Sequence, residues 1–129
     1  MRHMFIGMAI SACVFLLIGG CGSKSPEELF DLAQQAENDG NFKKAVDLYT
    51  MLLEKYPQNE HNYKAQFMIG FICSEELKDY DQARMAMQKV VELYPDCDLA
   101  DDAQWMLDHM GKNLEDIEFE ETSEDIKSS

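Results

Sequence analysis

The stretch LEKYPQN at residues 53–59 returns as VELYPDC at residues 91–97, so that Pro57 and Pro95 stand 38 positions apart. Proline has no amide to donate and pushes the residue before it out of helical geometry, so each Tyr-Pro pair reads as a helix stop. At the same offset Phe42 falls on Tyr80, Ala45 on Ala83 and Glu54 on Glu92. The register continues past the prolines, with Ala65 on Ala103, Gln66 on Gln104, Phe67 on Trp105, Met68 on Met106 and Ile69 on Leu107. A period of this length marks stacked supersecondary units, each of which buries its apolar face only against a neighbour.

Each unit reads as a helical hairpin. Ser25, Pro26 and Glu28 supply an N-cap, a proline at the first helical position and a capping-box glutamate. Leu29, Leu32, Ala33 and Ala36 then recur at helical spacing as far as Gly40, which suits a left-handed helix end. A second helix opens near Asn41 and runs to Pro57, a third spans about Asn59 to Leu77, a fourth about Asp81 to Tyr94 and a fifth about Leu99 to Met110. The expected class is all-α, without strands. Leu29, Leu32, Ala33, Ala36, Phe42, Ala45, Tyr49, Leu52 and Pro57 resemble the spaced large and small positions of the tetratricopeptide repeat. Ile69, Gly70, Tyr80, Ala83, Met87, Val90 and Pro95 repeat the pattern with one extra residue between Gly70 and Ala83, and a third unit supplies only its first helix. The small residues let helices cross closely while the large ones fill the gaps.

The first twenty residues are a different object. MFIGMAISACVFLLIGG carries no acid or base and follows Arg2 and His3, the pattern of a secretory signal. Ile18, Gly19, Gly20 and Cys21 resemble the lipobox of bacterial lipoproteins, which implies cleavage before Cys21 and acylation of its thiol. Burial of the acyl chains, about 0.8 kcal/mol per methylene, would hold the protein on a membrane. Gly22, where a retention aspartate would stand, implies sorting to the outer membrane with the domain facing the periplasm; in a single-membrane cell the same signal implies the outer face of the cytoplasmic membrane. The expected organisation is a signal peptide over 1–20, a lipidated linker over 21–25, a repeat domain over 26–111 and an acidic tail over 112–129.

Hairpins closed by Tyr-Pro are most similar to those of envelope lipoproteins. Two relatives are suggested: the BamD-like component of outer-membrane protein assembly and the C-terminal domain of the Tol-Pal-associated coordinator. The chain has about half the repeats of the former and lacks the coiled coil of the latter. The resemblance implies a non-enzymatic adaptor in outer-membrane protein assembly or maintenance, with a Tol-Pal or cell-wall-synthesis coordinator as the alternative. It also implies a concave groove lined by first helices, where Phe30, Phe67 and Trp105 stand at matching positions, with Phe71 a turn beyond Phe67. Gln34, Glu37, Asn38, Lys64 and Glu75 would form the polar rim, suited to a peptide segment of another envelope protein. The same aromatics also suit packing between adjacent helices.

Charge and chemistry narrow the remaining classes. A net charge of -14 argues against nucleic acid, since phosphate binding needs clustered Lys and Arg. There is no glycine-rich phosphate loop, no nucleophile with a supporting motif and no metal-spaced Cys/His set, so neither catalysis nor a cofactor is expected. His61 and His109 read as lone surface or interface residues rather than ligands, and the methionines outside the signal as core, leaving a metal-handling lipoprotein or an enzyme accessory subunit as remote classes. Cys73 and Cys97 would lie at opposite ends of parallel helices, too far apart for a disulfide, which needs α-carbons within about 7 Å. The tail carries seven acids and reads first as a solvated, disordered segment. Yet Leu114, Ile117 and Phe119 could cover the unpartnered face of the fifth helix, so that the first few residues after Lys112 are expected to dock and the rest to stay loose; an uncapped end would alternatively admit a homodimer.

Overall fold

A computed structural model describes residues 22–112, and the expected signal peptide, Cys21 and the tail from residue 113 lie outside the described residues. Five helices follow one another: α1 (Pro26–Asn38), α2 (Phe42–Lys55), α3 (Asn62–Glu75), α4 (Tyr80–Leu93) and α5 (Ala100–His109). Among the described residues there is no strand, and no helix is long and apolar enough to cross a membrane. Each helix packs against the next in sequence, so the chain forms a tetratricopeptide-like array of two hairpins and a fifth, single helix.

Local chemistry sets the helix ends. Ser25 accepts from the Glu28 amide while the Glu28 carboxylate accepts from the Ser25 amide, a closed capping box that fixes the start of α1. Asn41 and Asp79 cap α2 and α4 through their side-chain oxygens. Tyr56 and Tyr94, each ahead of a proline, leave helical geometry with φ of -128° and -132°, and both stops act at the same point of the repeat. Helix α3 begins three residues later than the sequence suggests. The Asn59 side chain accepts from the His61 amide and its carbonyl from the Asn62 amide, which closes a turn where helix was expected.

Small residues make the stack close. Ala33, Ala45, Ala65, Ala83 and Ala103 are fully buried. At Gly70 an added Cβ would meet the Met87 side chain at 2.9 Å, so α3 and α4 cross closely enough that any side chain there would require Met87 or α4 to shift. One apolar cluster runs through the first four helices, around Leu29, Tyr49, Leu52, Ile72 and Cys73. A smaller one, Met87, Val90 and Ala103, joins α4 to α5, with Phe67 and Cys97 against it. Cys73 and Cys97 are both free, the first buried in the larger cluster and the second half-buried beside the smaller.

The end of the array differs chemically from its interior. Offsetting Gln66 and Gly70 by the repeat gives Gln104 and Asp108, which are exposed and bonded to each other at 3.1 Å. A carboxylate stands where Gly70 permits close crossing, so α5 presents a polar face where a further second helix would pack.

Candidate functional site

The first helices α1, α3 and α5 run in the same direction, since matching ends of each neighbouring pair border a common hollow. The starts of α1 and α3 border one hollow, and the ends of α3 and α5 border another. The two hollows are separated along α3 by the run from Lys64 to Phe71, about 10 Å at 1.5 Å per residue.

The first hollow, of about 200 Å³, has Phe30 and Leu52 as its apolar floor and Glu27, Asp31, His61 and Lys64 around it. Phe30 is half-buried and meets the Tyr49 ring edge-on at 5.2 Å between centroids, so it is partly core. The Lys64 ammonium lies 5.7 Å from the Tyr63 ring centre. Hydrogen bonding to its own backbone amide, and secondarily to the Ser25 hydroxyl, holds the Glu27 carboxyl below the usual glutamate range.

The second hollow, of about 500 Å³, is wider and rimmed by aromatics. Trp105 is 54% exposed, and Phe71 and Tyr80 are each 39% exposed. The indole stacks on the His109 ring at 4.5 Å, and the Trp105 carbonyl accepts from His109 Nδ1 at 2.7 Å, which fixes that tautomer. Phe71 stacks on Phe67 at 6.5 Å. Lys78 and Lys112 add positive charge to this rim, opposite Glu75.

The nine groove residues expected from the sequence are thus distributed rather than gathered. Phe30 and Lys64 border the first hollow; Phe71, Glu75 and Trp105 border the second. Phe67 lies between them, half-buried against the smaller cluster. Gln34 and Asn38 are exposed on α1 and line neither hollow. Glu37 is half-buried, and its carboxylate accepts the Tyr49 hydroxyl, which ties it to α2 rather than leaving it on an open rim. That bond, after burial itself, raises the Tyr49 phenol far above its ordinary range.

Sequence reasoning reads His61 and His109 as surface or interface residues rather than ligands, and each borders a hollow. The repeat offset carries a signal for His109, since Phe71 falls on it; His61 lies in an irregular turn and has no such marker.

Comparisons with known proteins bear on the whole array. The family model described as YfiO, outer membrane lipoprotein, matches residues 23–116. Comparisons with curated proteins and with solved structures give no match.

Proposed function

The chain belongs to this family of outer membrane lipoproteins, and on that premise we propose that it is a lipid-anchored, non-enzymatic adaptor that holds segments of other envelope proteins against α1, α3 and α5. Cys21 carries the acyl anchor, the array faces the periplasm, and the task is assembly or maintenance of outer-membrane proteins. The observation that carries the reading is the placement of Phe30, Phe67 and Trp105 at equivalent positions of three parallel helices, with hollows at both ends of the face. Apolar floors with mixed polar rims suit side chains of an extended or helical peptide.

Photo-crosslinkers placed in living cells at positions 71 and 105 test this against positions 85 and 93, where Met85 and Leu93 are 60% and 64% exposed on α4. Capture of specific envelope proteins from 71 and 105 is expected. Capture from 85 and 93 alone would move the binding face to the second helices. Replacing Cys21 by serine is expected to release the protein from the membrane fraction, and retention there would exclude the acyl anchor.

A further inference from the structure

The second hollow stands at the point where the described chain ends. Lys112 lines it, so the residues that follow start from its rim. Within seven residues they bring Leu114, Ile117 and Phe119, a span that reaches up to about 24 Å. The hollow offers a matching apolar surface in Trp105, Phe71, Met106 and Met110.

Charge agrees with this placement. Residues 113–129 contain seven acids and, in Lys127, one base. In a chain of net charge -14, the hollow's rim carries Lys78 and Lys112 against a single lining acid, Glu75. The alternative seat, the face where a returning helix would lie along α5, is polar and closed to tight crossing by the Gln104–Asp108 pair.

We infer that the acidic tail, through Leu114, Ile117 and Phe119, docks into the hollow between the ends of α3 and α5 and occupies it as an intramolecular ligand. Tethering at the rim gives the tail an effective concentration on the order of mM, so a partner segment must exceed that competition to enter. The docking itself does not depend on the adaptor reading; only the competition with a partner rests on it.

Trp105, the single tryptophan, reports on the hollow directly. In the full chain at fixed pH, acrylamide quenching is compared with that of a Leu114→Ser/Ile117→Ser/Phe119→Ser variant and, separately, of Lys78→Glu. Both variants are expected to raise quenching and shift emission to the red, while far-UV circular dichroism keeps its helical signal. A synthetic peptide of residues 113–129 is expected to restore protection to the triple variant and to leave the unaltered chain unchanged. Equal quenching in the unaltered chain and the triple variant overturns the inference. Protection that disappears on dilution also overturns it, because the occupant is then a second copy. The measurement contains no partner protein, so its failure leaves the crosslinking result untouched, and the reverse holds equally.

Discussion

Gly70 and Met87 show how much one residue can decide in a stacked array. A methyl group added at Gly70 would come within 2.9 Å of Met87, so any side chain at 70 must displace α4 or Met87. Gly70→Val is expected to cost about 1–3 kcal/mol, as overpacking usually does. Combining it with Met87→Ala should recover part of that loss, and a double-mutant cycle by urea denaturation would show the coupling. Strict additivity would mean that the two do not meet. Tyr49 gives a second residue-scale prediction. Its phenol is an acid whose pKa rises on folding, by burial first and then by Glu37. Its contribution is therefore complete below the unfolded value of about 10 and is lost as pH rises above it. Stability should fall above about pH 10, and Tyr49→Phe should flatten that fall. Burial, and then the Asp79 charge, also raise the Cys73 thiol, so native-state alkylation should label Cys97 before Cys73.

At the scale of elements, the hairpin turns differ in composition but reach one solution. Gly40 with φ 71° and Lys78 with φ 55° occupy the same repeat position, each followed by an Asn or Asp that caps the next helix. The extra residue of the second hairpin is accommodated on the α3 side, where the Asp79 amide reaches back to the Cys73 carbonyl. A left-handed lysine carries a steric cost of about 1–2 kcal/mol, partly offset by the backbone entropy glycine would lose. Lys78→Gly should therefore raise the thermal midpoint slightly, and a lowered midpoint would mean that the lysine side chain itself holds the turn. The α2–α3 turn is secured differently. Asn62 is buried and donates to the Tyr56 carbonyl at 2.7 Å, and the Tyr56 hydroxyl donates to the Lys24 carbonyl at 2.6 Å. The segment leading from Cys21 is thus bound to the second turn three residues after the expected anchor.

For the whole molecule, the decisive feature is how the array stops. Interior helices bury small residues against their neighbours, whereas α5 turns Gln104 and Asp108 outward at the equivalent sites. Gln104→Leu with Asp108→Ala should make this end adhesive, and sedimentation should show association that the unaltered chain lacks at the same concentration. The period, the five helices, the Ser25–Glu28 capping box and the all-α class were legible in the sequence, because they depend on interactions within four or five residues and on a repeated pattern. Family membership was legible for the same reason. The candidate site was legible only as a set of equivalent positions. Phe67 and Trp105 are indistinguishable by register, yet one is half-buried and the other 54% exposed. What covers an aromatic in a stack is the helix that comes next, and α5 has none among the described residues. Glu37 likewise has the spacing of an open rim residue, but the Tyr49 hydroxyl, twelve residues away on another helix, holds it. Spacing along one helix determines which side chains share a face; only the stacking of helices determines how deeply each one lies.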